Sequence, residues 1–184
     1  MKIVGLILAK KDSSRLYAKN WRNFLGKPMF VWNLEKALYL FDEVYVSSDF
    51  EPVLKKAQSL GAIGIKRPKE LCGEAPNITV YKHAQKTMKA DVIVAIQANS
   101  PTLEVSIIEQ VIGLMKNGKQ EVKTCHMDKE DYGSVWALTK ERLRNYPDPY
   151  NAKPDYWVVD DSVDIHTISE LQEALSQNDW KTQI

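Results

Sequence analysis

At 184 residues the chain has the length of one domain and enough mass to bury a core. Hydrophobic residues make up 44% and charged residues 27%, an ordinary globular balance, and a net charge of +1 argues against partners captured by bulk charge, nucleic acid and membrane surfaces among them. Cys72 and Cys125 stand far apart in no metal-type spacing and read as reduced, partly buried thiols.

The opening apolar run is too short for a secretory signal and leads straight into charged residues. No segment approaches the roughly 18 apolar residues of a membrane span, so a cytoplasmic location is expected. Ile3 to Leu8 reads as a strand buried on both faces, followed by a polar loop over 9–28. From Met29 the spacing of Val31, Trp32, Leu34, Ala37, Leu38 and Phe41 predicts a helix. A second strand follows at Glu43–Ser47, then a helix from Glu51 to Leu60 with Pro52 in its first turn, stopped by Gly61. A short strand is expected at Ala62–Lys66, and a helix at Ile78–Met88 with Asn77 as its cap. Asp91–Gln97 reads as the central strand and Val105–Met115 as a helix closed by Asn117-Gly118. Strands are expected at about 122–127 and 134–138, a short helix at 139–144, and a proline-rich loop at 146–155. A last strand at 156–159, a last helix at 168–175 and a frayed tail complete the pattern.

Alternation of strands and helices predicts an α/β fold with a mainly parallel sheet covered on both faces. No repeat or linker divides it, so 1–184 reads as a single domain. Ligands of such sheets bind beyond the carboxyl ends of the strands, so the loops at 9–28, 47–50 and 97–103 should share one rim.

The first loop carries Lys10, Lys11, Arg15, Lys19, Arg22 and Lys27, six cations in 18 residues, with Asp12 as the one acid among them. A loop between a buried strand and a helix is a common phosphate site, and cations there can neutralise a triphosphate and its reacting phosphorus. A solvated basic loop is the alternative. Neither the G-x-x-x-x-G-K-[ST] nor the G-x-G-x-x-G pattern is present. Ser13 and Ser14 have no paired His and Asp, which argues against a serine nucleophile.

Ala9-Lys-Lys-Asp-Ser-Ser-Arg-Leu-Tyr-Ala-Lys-Asn20, followed by Leu25-Gly-Lys-Pro-Met29, resembles the opening of the CMP-sugar-acid cytidylyltransferases (A-R-x-G-S-K-R-x-P-x-K-N, then G-K-P-M). Members include the acylneuraminate and 3-deoxy-manno-octulosonate cytidylyltransferases. Val46-Ser-Ser-Asp49, Lys66-Arg-Pro-Lys-Glu-Leu71, Gln97-Ala-Asn-Ser-Pro101 and Ser162-Val-Asp-Ile-His-Thr167 continue the likeness in the family's order. The resemblance implies a Rossmann-like, glycosyltransferase-A-type three-layer α/β/α fold with a mainly parallel mixed sheet. It also implies transfer of CMP from CTP to an acidic sugar, with magnesium and release of pyrophosphate. Alternatives are another nucleotide, a small phosphonate or phosphate acceptor, or a degenerate homologue that only binds nucleotide.

Carried over by position, Lys10, Arg15 and Lys19 would act on the reacting phosphates. Lys10, Ser13, Arg15, Lys19, Asn20, Asp49 and Arg67 would hold the nucleotide, and Arg67, Gln97 and Asn99 the acceptor. Asp164 matches the first carboxylate of the family's D-I-D metal pair, with His166 in the place of the second and Asp12 as a further candidate ligand. Four residues at the chemical centre depart from the pattern: Lys10 stands for Arg, Asp12 for Gly, Ser14 for Lys, and His166 for Asp. Magnesium prefers oxygen ligands, so His166 implies weaker magnesium binding or a preference for manganese. The family's long insertion before Gly133 shrinks here to about 128–132, and a monomer or homodimer is expected. Asp49 can equally be a helix cap, Asp160-Asp161 a solvated turn, His83 and His126 structural, and Trp32, Trp136 and Trp157 core aromatics.

Overall fold

The computed structural model describes residues 1–11, 13, 15–73, 75–127, 133–146 and 153–176. Residues 147–152 of the expected loop at 146–155, the tail, the insertion remnant, Asp12 and Ser14 lie outside the described residues.

Strand β1 (Ile3–Leu8) is buried along its middle. The segment after it is more structured than a polar loop. A 3₁₀ turn at Lys19–Trp21 leads to a hairpin of β2 (Asn23–Phe24) and β3 (Lys27–Pro28). Leu25 and Gly26 both take positive φ, 51° and 94°, as a two-residue hairpin turn requires. Strands of two residues leave no periodicity to read. Helix α1 (Met29–Leu40), β4 (Val44–Ser48), α2 (Glu51–Ser59), β5 (Ile63–Lys66), α3 (Asn77–Met88), β6 (Val92–Gln97) and α4 (Val105–Lys116) then alternate. They are followed by β7 (Glu121–Cys125), β8 (Val135–Thr139), α5 (Lys140–Arg144), β9 (Tyr156–Val159) and α6 (Ile168–Ser176).

The main sheet runs β5-β4-β1-β6-β8-β7-β9, with β6 at its centre. Only β8 runs against its neighbours, so its start lies at the rim where the other strands end. Phe30, Leu34, Val53, Ile108 and Val111 from α1, α2 and α4 pack on one face with Ile7, Val94 and Ile96. Ile78, Tyr81, Met88 and Leu143 from α3 and α5 pack on the other with Leu6, Ile93 and Ala95. The result is the expected Rossmann-like mixed α/β sheet. Order reverses between β1 and β6, which opens the crevice such sheets use for ligands.

Four local expectations are corrected. Asn77 is the first residue of α3 and makes no side-chain cap; Pro76 takes the N-cap position, with its ψ of 138° outside the helical range. Asp49 does not cap α2 either: its carboxylate accepts from the Lys11 backbone N–H at 2.7 Å, and Ser48 Oγ accepts from Phe50 N instead. Asp160 is buried rather than solvated, because Ser134 Oγ, Ser162 Oγ and Ser162 N all donate to it. Trp157 on β9, at the sheet edge, is 36% exposed and not core.

Candidate active site

A cavity of about 390 Å³ opens at the carboxyl ends of β1, β5, β6 and β7 and the start of β8, a volume in the range of small-molecule sites. Lys10, Lys19 and Asn20 from the first loop, Arg67 from the end of β5, Gln97 and Asn99 from the end of β6, and Asp164 and His166 from the last loop all line it. These residues are spread over 157 positions of sequence (10 to 166) and meet because their loops share one rim.

The first loop is tied down by its backbone. Ser48 Oγ donates to Ala9 O at 2.6 Å, Asp49 accepts from Lys11 N, and Asn20 Nδ2 donates to Lys10 O at 3.0 Å. Lys10 Nζ reaches across to Gly73 O at 3.2 Å. Arg67 donates through Nε to Ser47 Oγ at 3.0 Å and through Nη2 to Ser47 O at 2.9 Å. Lys19 is 6% exposed, and burial pulls its pKa down to about 8, opposed by Asp164 and reinforced by Arg15 and Lys10. A buried cation so perturbed in a cleft is a mark of a functional site. Of the six first-loop cations, Lys27 instead pairs with Glu35 and lies 3.6 Å from the Trp32 ring, and Lys11 lies near Phe50. Neither lines the cavity, nor do Ser13, Arg15 and Asp49. Arg15 meets the site through His166.

The opposite wall is built from behind. Asn33 Nδ2 donates to Gln97 O at 2.7 Å and Ser100 O at 2.8 Å. Lys36 Nζ, 2% exposed, donates to Pro101 O and Leu103 O at 2.7 Å and to Asn33 Oδ1 at 3.2 Å. The last loop is then zipped onto this one: Val163 N donates to Thr102 Oγ1 at 2.8 Å and Ile165 N to Asn99 O at 2.9 Å. Asn99 Nδ2 donates to Asp164 Oδ1. Thr167 and Glu170 form a capping box at the start of α6, and Glu170 also accepts from His166 N at 2.8 Å. Asp164 and His166 therefore face the cavity together, as their two-residue spacing requires.

Residues 4–153 match the cytidylyltransferase family. The chain belongs to that family. It is 31% identical over 142 residues to N-acylneuraminate cytidylyltransferase A of Danio rerio, covering 75% of this chain and 30% of that protein. It is 33% identical over 119 residues to pseudaminic acid cytidylyltransferase of Campylobacter jejuni, covering 60% and 51%. The chain thus spans between about a third and a half of these relatives' length. Among solved structures, CMP:2-keto-3-deoxy-manno-octonic acid synthetase complexed with CTP superposes with a TM-score of 0.79 at 18% identity, covering 94% of this chain and 96% of that one. At that identity the likeness speaks for the fold.

The cavity also has lining residues that the sequence did not single out for it. Lys123 on β7 and Trp136 on β8 pair in register, with Lys123 Nζ 4.1 Å from the Trp136 ring. Trp136 packs edge-on against Tyr81 and Tyr146, and its Nε1 donates to the fully buried Glu121 at 3.0 Å. Glu121 also accepts from Arg142 Nε at 2.8 Å and Tyr146 Oη at 2.7 Å, so the indole is held in one pose. Gly133 completes this wall. A Cβ there would lie 2.4 Å from Thr124 O, which only glycine avoids. Lys123 and Trp136 belong to different strands, and the register of β7 against β8 is what brings them together. Among the described residues, no helix is long and apolar enough to cross a membrane.

Proposed function

We propose that the chain transfers CMP from CTP to an acidic sugar of the 2-keto-3-deoxy or acylneuraminate type, releasing pyrophosphate. The observation that carries this reading is the convergence of Lys10, Lys19 and Arg67 with Gln97 and Asn99 in one cavity at the order reversal of the sheet, in a chain of the cytidylyltransferase family. The triphosphate lies along the first loop, where Lys10 and Lys19 face its charge. The acceptor lies toward β7 and β8. There Lys123 supplies a counter-charge for a carboxylate and Trp136 an apolar face for a sugar ring. The acceptor hydroxyl oxygen attacks the α-phosphorus and gives up its proton to solvent, a P–O bond forms, and the anhydride bond to the β-phosphate breaks with its electron pair leaving on pyrophosphate. This in-line exchange requires alignment and cationic stabilisation rather than a protein nucleophile.

Magnesium is the metal the family resemblance implies. It takes six oxygens in near-octahedral geometry. Both Asp164 oxygens and both His166 ring nitrogens already have side-chain partners, and no group of three metal-binding side chains exists among the described residues. The Asp164–His166 pair does not fit a magnesium site, and no step is routed through one.

Pyrophosphate release, measured with each of four nucleoside triphosphates against a panel of acidic sugars, tests the reading. Release with CTP and a 2-keto-3-deoxy acid is expected. Release that depends on another base, or none with any acidic acceptor, overturns it.

A further inference from the structure

The contacts at His166 fix its hydrogen-bonding state. Arg15 Nη2 lies 2.8 Å and Lys19 Nζ 3.1 Å from the same ring nitrogen, Nδ1. Arginine and lysine have donors only, so Nδ1 is the acceptor of both. The ring proton then sits on Nε2 and is donated to Asp164 Oδ2. The other Asp164 oxygen accepts from Asn99 Nδ2. A chain results: amide to carboxylate, carboxylate to imidazole, imidazole to two cations. The backbone holds it in place, since His166 N is fixed by Glu170 and Ile165 N by Asn99 O.

An imidazole in this tautomer binds Arg15 and Lys19 without cancelling their charge. An aspartate at the same place would form a salt bridge and neutralise one of them. A divalent cation at His166 would need the Nδ1 lone pair that the two cations already use, and would be repelled by them at close range. The geometry therefore disagrees with a metal-ligating histidine and gives the ring a different task.

We infer that His166 is a positioning residue that pairs Lys19, which lines the triphosphate end of the cavity, with Arg15 behind it, and that the Asp164–His166 pair holds no divalent ion in the nucleotide-free protein. The positive charge a metal would bring to this position comes from the chain itself. The inference rests on the reading that the cavity takes a nucleoside triphosphate; magnesium that accompanies CTP would be held by the phosphates.

The test uses two probes on the full chain. The first is manganese chloride without nucleotide, followed by electron paramagnetic resonance, for the wild type and His166→Ala. The spectrum of free manganese is expected throughout. A stoichiometric bound ion in the wild type that is lost in His166→Ala overturns the inference. The second is CTP titrated calorimetrically in the presence of a chelator. His166→Asp is expected to bind CTP about tenfold more weakly than wild type, while His166→Asn, whose amide oxygen can replace the Nδ1 acceptor, stays within a few-fold. Equal or tighter binding by His166→Asp overturns the inference. Should the wild type bind no CTP with or without magnesium, the nucleotide reading fails by itself, and the manganese result still decides whether the pair holds a metal. Circular dichroism on each variant separates loss of fold from loss of binding.

Discussion

Two loops face each other across the cavity, and they are stabilised in opposite ways. The first loop, after β1, is tied by its backbone to Ser48, Asp49 and Asn20, while its Lys10 and Lys19 line the cavity. Gln97 and Asn99, at the end of β6 and in the loop after it, line the same cavity, yet the carbonyls of this segment are gripped from the core by Asn33 and Lys36 of α1. One loop turns two of its cations toward the cavity; the other takes a buried cation as part of its scaffold. Stability and binding should therefore separate between them, and variants on each side can break or sharpen that division.

The largest effect is expected at Lys36. Burial pulls its pKa down to about 7, while three acceptors favour the ammonium. Lys36→Met keeps the stem volume but leaves Pro101 O, Leu103 O and Asn33 Oδ1 without this donor. At about 1–3 kcal/mol for an unsatisfied buried group, less the relief of a desolvated charge, the loss should be about 3 kcal/mol. Denaturant unfolding measures it. A loss below about 1 kcal/mol would mean that the loop holds itself and that α1 is not its support.

Lys19→Ala should do the reverse. A charge-assisted hydrogen bond is worth about 1.5–3 kcal/mol, so CTP affinity should fall about 10- to 100-fold. The melting temperature should hold or rise, because the residue is an ammonium desolvated in the free protein. Calorimetric titration and a thermal melt on one preparation check both halves. Unchanged affinity would remove the first loop from the triphosphate site.

The two loops also differ in how far they could be read in advance. The first was legible because its signal is local: a cluster of cations and a run of family-like residues between a buried strand and a helix. The middle of the sheet was legible for the same reason, since β1 and most of β6 are continuous apolar runs. The rear support of the second loop was not. Asn33 and Lys36 occur in a helix whose apolar spacing was already satisfied by Val31, Leu34 and Ala37, and a lysine there reads as solvated. Its burial follows from the loop carbonyls that α1 happens to meet, 64 to 67 positions away. Lys123 and Trp136 were missed as site residues for a similar reason, since their meeting depends on strand pairing. Asp164 and His166 came from the family resemblance, and their two-residue spacing turns both side chains to one face. Which atoms they share with Arg15 and Lys19 depends on loop packing that no spacing encodes.

A smaller effect is expected on the acceptor side. Lys123→Met removes the charge but keeps an apolar stem over the Trp136 ring. Loss of about 1.5 kcal/mol of charge-assisted contact should raise the acceptor KM roughly tenfold and leave CTP affinity unchanged. Steady-state kinetics varying each substrate separately distinguishes the two. A change confined to CTP would reverse the assignment of the cavity's two ends.

The smallest effect concerns pH and distinguishes binding from stability within one residue. Lys19 has a pKa near 8 in the free protein, lowered first by burial and then by Arg15 and Lys10, and raised by Asp164 and Glu170. Triphosphate binding favours its ammonium form, so the complex takes up a proton wherever free Lys19 is neutral. CTP affinity should be flat below about pH 8 and fall by up to about tenfold per pH unit above it. CTP phosphates, with second ionisations near pH 6, do not titrate in that window. Stability moves the other way. With the folded pKa depressed below the unfolded value of about 10.4, the unfolded chain binds more protons between about pH 8 and 10. Lys19 therefore adds stability as pH rises through that range, and its full destabilising contribution is present below about pH 8. Lys36, lowered to about 7, acts in the same direction from a lower starting pH. In Lys19→Arg, whose guanidinium stays protonated throughout, the loss of CTP affinity above pH 8 should vanish. Titrations at pH 7, 8 and 9 on both proteins check it: a wild-type affinity that stays level to pH 9, or an arginine variant that weakens in parallel with it, would show that the proton taken up on binding belongs to a group other than Lys19.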